Sequence, residues 1–324
     1  MEKEYIVVVG GLNIDISGLS GSFYREKDSN IGKVLIGVGG VGQNISHNLT
    51  KLEVPTYLVT LYGDDNFGKI AKSECEKNNI NLDYSRCIKN SRNSIYLYVN
   101  DNMGDLVTAI NDMSIIDQIT PAFLEERIDF INGAKIVVID CNISKESIEW
   151  LAEHVTAPIF VDPVSVAKVG RINNILDKID TLKPNEHETQ ILTGIKVIDE
   201  ESACRAAKAL DEKGVKNIFI SLGAQGILCS RNGETALVRP FTKKIVSTNG
   251  AGDCSMATII WTRFSYGDVF PLEKTGILTQ AAASITLESS CAVSPDLSVR
   301  NVMSRAQEIV KSITEITSEA LFYS

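Results

Sequence analysis

The chain has 324 residues, 44% of them apolar, and a formal net charge of −9, which suits a soluble globular protein and opposes binding to nucleic-acid phosphates. No apolar run reaches the roughly 20 residues needed to cross a bilayer, and no export signal precedes the apolar run at residue 6, so a cytoplasmic protein with no membrane contact is expected. Seven scattered cysteines without Cys-x-x-Cys spacing, and three histidines at 47, 154 and 187, exclude a disulfide frame and a zinc cluster.

Strand-type and helix-type patterns alternate along most of the chain. Ile6–Val9 reads as a strand, 42–52 as a helix, 56–61 as a strand and 68–78 as a helix. Further on, 135–140, 158–161, Thr181–Leu182 and Asn217–Ser221 read as strands, with helices at 144–155, 186–192 and 203–214 between them. Continuous apolar strands such as Ile136-Val137-Val138-Ile139 are those of a parallel sheet covered on both faces. The expected fold is therefore α/β and doubly wound, with a mostly parallel central sheet and helices on both faces, forming one domain over 1–324. The segments 33–36, 94–99 and 106–109 break the rhythm as antiparallel strands. They predict a small antiparallel β lid, or an edge extension, inserted at about 16–37 and 93–110. The segment 301–316 reads as a polar helix lying on the surface.

The sharpest chemical signal is Ser247-Thr248-Asn249-Gly250-Ala251-Gly252-Asp253, just before a helical pattern at 254–264. Small residues at 250–252 let the backbone turn tightly and aim several amides at one point. A helix start with free amides binds anions and stabilises charge on a transferring phosphoryl group. Asp253, in the same turn, is positioned to accept a proton from an attacking hydroxyl, or merely to complement the helix dipole. Lys183-Pro184-Asn185-Glu186-His187-Glu188 opens another helix with a capping pattern. Asn185 and Glu188 also suit phosphate-bound magnesium approached through water. Ser221-Leu222-Gly223-Ala224-Gln225-Gly226 closes a strand, and its glycines admit a nucleotide or form a tight turn. Asn13 and Asp15 follow the first strand, where ligands of such sheets bind, and suit sugar hydroxyls. The stretch 37–42 holds a formal G-x-G-x-x-G, but Asp64 and Asp65 come only after Gly63, so no acidic residue ends the next strand to hold a ribose. The competing use of Gly39 and Gly40 is to close backbone around a sugar, with Asn44 reaching it from the next helix.

As an ordered set, Asn13 with Asp15, Gly39-Gly40 with Asn44, Asp162-Pro163, Lys183-Pro184-Asn185 with Glu188, Ser221-Leu222-Gly223 and Gly250-Ala251-Gly252-Asp253 resemble the ribokinase-like, or PfkB, carbohydrate kinase family. The match runs over about residues 6–301. The resemblance implies ATP- and magnesium-dependent phosphorylation of a small-molecule hydroxyl. Asp253 would be the catalytic base and the amides of Gly250, Ala251 and Gly252 the anion hole. Asn185, Ser221, Gly223, Gly226 and Thr248 fall on the nucleotide side, with Asn185 and Glu188 supporting magnesium through water. Asn13, Asp15, Gly39, Gly40 and Asn44 fall on the sugar, under a lid whose pairing would make a homodimer. Many members hold potassium with an Asp and a Thr where Ser247 and Asn249 stand here, so backbone carbonyls alone would serve that ion.

A narrower resemblance, to the pseudouridine kinases of that family, lies in Asp28-Ser29-Asn30 with Gly32-Lys33, Ala109-Ile110-Asn111-Asp112-Met113 and Asp140-Cys141-Asn142-Ile143-Ser144. It continues in Phe160-Val161-Asp162-Pro163-Val164-Ser165 with Lys168, and in Pro295-Asp296-Leu297-Ser298. It implies transfer to a ribose 5′-hydroxyl, with Asn111, Asp112 and Lys168 on the substrate and Ser29 and Asn30 near its base. Three alternatives stay open at this point: a kinase for ribose, another sugar or another nucleoside; an NAD-dependent oxidoreductase using 37–42; and a sugar-binding protein without turnover.

Overall fold

The computed structural model describes residues 4–21, 23–242 and 244–322. Unbroken β-branched runs make the central strands, since only a strand covered on both faces buries every side chain. Ile6–Val9 (β1) is such a run and is wholly buried. Asn13–Ser20 (β2), Gly32–Gly39 (β3), the helix Val41–Lys51 (α1), Thr56–Val59 (β4), Leu61–Gly63 (β5) and the helix Asn66–Lys77 (α2) follow. Next come Arg86–Ile88 (β6), Ser94–Asn100 (β7), Leu106–Asp112 (β8), two short helices at Pro121–Glu125 (α3) and Ile128–Asn132 (α4), Ile136–Asp140 (β9) and Lys145–His154 (α5). Ile159–Asp162 (β10), Thr181–Leu182 (β11), the helices Glu186–Thr193 (α6) and Glu200–Asp211 (α7), and Asn217–Ser221 (β12) continue the alternation. Ile227–Arg231 (β13), Glu234–Val238 (β14) and the helices Ala251–Tyr266 (α8), Leu272–Leu287 (α9) and Val299–Phe322 (α10) complete the chain.

The large sheet has the order β14-β13-β12-β11-β10-β9-β1-β4, parallel from β12 to β4, with an antiparallel hairpin at the other edge. Its two faces are packed differently. Val7, Val9, Val137 and Ile139 face one apolar cluster, while Ile6, Val8, Val138 and Phe160 face a second that includes Met256, Ile260 and Ala281. The helices α8 and α9 are apolar nearly all round because they are buried helices within this second layer. The C-terminal helix lies on the surface, as expected, and packs by one face. It buries Val302, Ala306 and Ile309, spaced four and three residues apart on one face. No helix among the described residues is long and apolar enough to cross a membrane.

The second sheet has four strands in the order β3-β2-β7-β8. The pair β7–β8 is antiparallel, as expected; β3 pairs antiparallel with β2, and a parallel β2–β7 pairing joins the two hairpins. The sequence pattern did not mark β2, because the polar–apolar alternation from Asn13 to Ser17 is short and breaks at Gly18.

The strand exits are tied together by one buried carboxylate. Asp140, fully buried at the end of β9, accepts hydrogen bonds from Gly11 N (2.8 Å) and Gly42 N (2.7 Å) on Oδ2 and from Asn142 N (2.8 Å) on Oδ1. Burial pushes its pKa up, and these hydrogen bonds oppose the shift. A side chain on Gly10 would begin 2.3 Å from Asp140 Oδ2, which explains the glycine there. Asp140→Ala strands three buried amides and is expected to lower unfolding free energy by roughly 3 kcal/mol or more. Urea denaturation checks this, and a loss under about 1 kcal/mol contradicts it.

Candidate active site

The turn before α8 depends on Gly250, whose φ of +77° is the left-handed conformation that glycine adopts without strain. A side chain there would also begin 1.9 Å from Ala292 O. The first helical hydrogen bond runs from Cys254 N to Gly250 O at 2.9 Å. The amides of Ala251, Gly252 and Asp253 therefore precede the ladder, and no described side chain caps them. They are uncapped amides at the positive end of a sixteen-residue helix, a geometry suited to an anion.

Asp253 lies in the first turn and borders a crevice of about 1150 Å³. Its Oδ2 accepts from Asn44 Nδ2 at 2.8 Å, which links α8 to α1. Burial, reinforced by the charge of Asp162, pushes the Asp253 pKa up to about 8, against the pull of Asn44 and Lys183. The resting carboxyl therefore holds its proton far more tightly than an ordinary aspartate.

Asn13, Asp15, Gly40, Asn44, Asn111, Lys168, Thr248 and Gly250 line the same crevice. Asn13 Nδ2 donates to Asp15 Oδ1. Burial raises the Asp15 pKa to about 6, and the Asn13 hydrogen bond opposes it. Gly39 adjoins from below: a side chain there would begin 2.3 Å from Asp15 Oδ2. Across the crevice the Lys168 ammonium donates to Asn142 Oδ1, and Arg171 Nη1 holds that loop through the carbonyls of Cys141, Asn142 and Ile143.

The remaining expected residues sit elsewhere. Asn185 and Glu188 form a reciprocal capping box at α6. Asn185 Oδ1 accepts from the amides of His187 and Glu188, and Glu188 Oε2 accepts from Asn185 N. Ser221 N donates to Pro184 O at 2.9 Å, so the exits of β11 and β12 abut along the same sheet edge. Gly223 and Gly226 shape the tight β12–β13 turn, both at positive φ. Asp112 accepts from Ser114 N and Oγ, a turn contact outside the crevice lining. Ser29 and Asn30 are on the β2–β3 connection, where the Asn30 side chain folds onto the Arg25 backbone.

Sequence reasoning gave no role to Tyr96, Tyr98, Val164 and Ser290, all of which line the crevice. The signal for the first two was present: residues two apart in a strand share a face. Val164 stood in the 160–165 motif without a role of its own. It carries φ +68°, strained for a β-branched residue, with its amide donating to Asp162 Oδ1 at 2.9 Å. The fingerprint at 37–42 loses its dinucleotide meaning here, because β3 belongs to the second sheet and not to a parallel β-α-β unit.

The architecture is the ribokinase-like α/β fold. It matches ribokinase from Thermotoga maritima (TM-score 0.81, 22% identity, covering 94% of this chain and 100% of that one). It also matches Arabidopsis thaliana ribokinase complexed with ribose and ATP (TM-score 0.78, 23% identity, 94% and 98%). At the level of sequence, residues 3–298 match the pfkB family carbohydrate kinases, and the chain belongs to that family. It is 34% identical to the pseudouridine kinase of Escherichia coli strain K12 over 94% of its own length and 96% of that protein. The protein is a phosphotransferase acting on a hydroxyl group, which excludes the oxidoreductase and the turnover-free binding protein.

Gly250→Ala is expected to reduce phosphoryl transfer by about 10²-fold or more while the protein still folds, since the clash displaces the anion-binding turn. Circular dichroism and coupled ADP release check it; near-normal turnover contradicts the turn's role. Stability should respond to Asp253 with a defined sign. Because its carboxyl holds a proton more tightly folded than unfolded, its contribution is lost as pH rises from about 4 to about 8. Asp253→Asn should therefore gain melting temperature relative to the parent across that window. A constant difference between the two proteins would contradict the assignment.

Proposed function

We propose that the protein transfers the γ-phosphoryl group of ATP to the ribose 5′-hydroxyl of pseudouridine. The observation carrying this reading is that Asp253 and the amide-rich 250–252 turn border the same crevice as Asn13, Asp15 and Asn44. The side chains of Asn13, Asp15 and Asn44, with the backbone at Gly39 and Gly40, hold the sugar hydroxyls. Asp253, in its ionised form, takes the proton from the attacking oxygen, and the amides of Gly250, Ala251 and Gly252 receive charge on the moving phosphoryl group. Proximity of base and anion hole supports the in-line geometry that this transfer requires. Asn111 and Lys168 face the base end. The choice of pseudouridine is supported by the identity to the Escherichia coli enzyme over nearly the whole chain.

ATP would meet the turn from the side of Asn185, Ser221, Gly223, Gly226 and Thr248. Among the described residues, no group of three His, Cys, Asp or Glu is arranged to hold a metal ion. The capping box also commits Asn185 Oδ1 and Glu188 Oε2 to amides. These residues fit magnesium held chiefly by phosphate oxygens and water, with Glu188 orienting a water; the bound ion would neutralise phosphate charge. Potassium is expected to have little effect. Ser247 Oγ already accepts from Asn249 N at 3.1 Å, and neither residue supplies a carboxylate.

The second sheet serves as a lid of the single domain, its inner face carrying Asp15, Tyr96 and Asn111 in one register row. Its outer face carries Val34 (69% exposed), Ile36 (58%) and Ile110 (62%), an apolar surface suited to a second copy of this chain. Ser29 and Asn30 lie beyond the far end of β2, roughly 23 Å from Asn13 at strand rise. In a homodimer they would serve the partner's crevice. Seven free cysteines fit the reducing cytoplasm.

Incubation with magnesium, ATP and a nucleoside panel tests the substrate by mass gain of one phosphate. Pseudouridine should outpace uridine, adenosine and ribose, and preference for another acceptor would reassign it. Asp253→Asn should keep acceptor and ATP affinities within a few fold and lower turnover by about 10²-fold or more. Glu188→Gln should raise the magnesium requirement, and an unchanged magnesium titration would count against its role.

A further inference from the structure

One buried cation beside the crevice has no part in the chemistry just described. Lys183 Nζ lies 3.2 Å from Asp162 Oδ2, and both side chains are only 7% exposed. The other Asp162 oxygen takes Val164 N. A side chain built on Gly252 would begin 3.6 Å from the same Nζ, so the ammonium sits against the inner side of the 250–253 turn. Four carboxyls surround this region: Asp140 from β9, Asp162 from β10, Glu188 from α6 and Asp253 from α8, with the neutral amide of Asn44 arriving from α1. A buried ion pair is weak evidence for a stabilising role, because desolvation of both partners offsets their attraction. Its position against the phosphoryl-binding turn suggests another use.

We propose that Lys183, tethered by Asp162, is a positioning residue whose ammonium balances the negative charge gathering at the 250–253 turn when nucleotide and an ionised Asp253 are present together. This rests on the reading of Asp253 as the base. Burial pulls the Lys183 pKa down, but Asp162, Glu188 and Asp253 outweigh it and push it up, so the amine stays charged. The two members of the pair act on Asp253 with opposite sign: Lys183 favours its carboxylate and Asp162 disfavours it.

The experiment is the pH profile of kcat/KM for the acceptor at saturating magnesium and ATP, in the parent and in Lys183→Gln, Lys183→Arg and Asp162→Asn. Lys183→Gln sets a neutral amide in place of the ammonium beside Asp162 and so removes the charge alone. It should move the rising limb up by about one pH unit or more and lower turnover at pH 7 by about tenfold or more. Lys183→Arg should bring the limb back, and Asp162→Asn should move it down. A pair acting on stability alone would lower melting temperatures and leave every limb in place, and that result overturns the inference. Should Lys183→Gln not fold, Lys183→Met together with Asp162→Asn gives the same opposed pair of shifts. Failure of the underlying reading looks different: Asp253→Asn would then retain parental turnover. An inactive Asp253→Asn with unmoved limbs in the other variants removes only the role of Lys183.

Discussion

The reactive end of this molecule hangs on a single carboxylate that touches no solvent. Asp140 gathers amides from three separate segments: the exit of β1, the start of α1 and the exit of β9. Two of those amides belong to glycines, whose backbones approach closely because no side chain intervenes. The consequence propagates. With Gly42 fixed, α1 has a set direction, and Asn44 on its first turn reaches Asp253 on α8. A tie made for structural reasons at the sheet edge thus orients Asp253 on a helix that starts more than a hundred residues later.

That geometry concentrates acidic groups. In-register pairing sets Asp140 beside Asp162 at the ends of adjacent parallel strands, and α8 brings Asp253 to the same edge. Water would screen such a group on a surface, but burial here raises the proton affinity of Asp253, and the charges of Asp162 and Asp140 add to it. The glycine turn at 250–252 and the ammonium of Lys183 are the nearby counterweights, one made of backbone dipoles and the other of a full charge.

How much of this was legible in the sequence follows from the range of the forces involved. The central strands read clearly because a doubly covered strand leaves an unbroken apolar run, as in Ile6–Val9. Motifs that work through local backbone, Gly250 through Asp253 and Asn185 with Glu188, also read clearly, since capping and tight turns leave their residues close together. Features set by distant partners did not. Asp140 looked like the last residue of a strand, Tyr96 and Tyr98 like sheet alternation, and Val164 like any loop valine. Pairing of β2 with β7, across some eighty residues of chain, likewise depends on contacts that no local pattern encodes. The last helix read as a polar surface helix, and the pattern left unsaid only which face, that of Val302, Ala306 and Ile309, it packs by.

The raised proton affinity of Asp253 also bears, under its proposed role, on what happens when the acceptor is missing. A neutral carboxyl would not repel a terminal phosphate entering the crevice. A stray solvent molecule in the acceptor's place would meet a group reluctant to take its proton. On that proposal, futile ATP hydrolysis would be restrained by the same side chain that serves productive transfer.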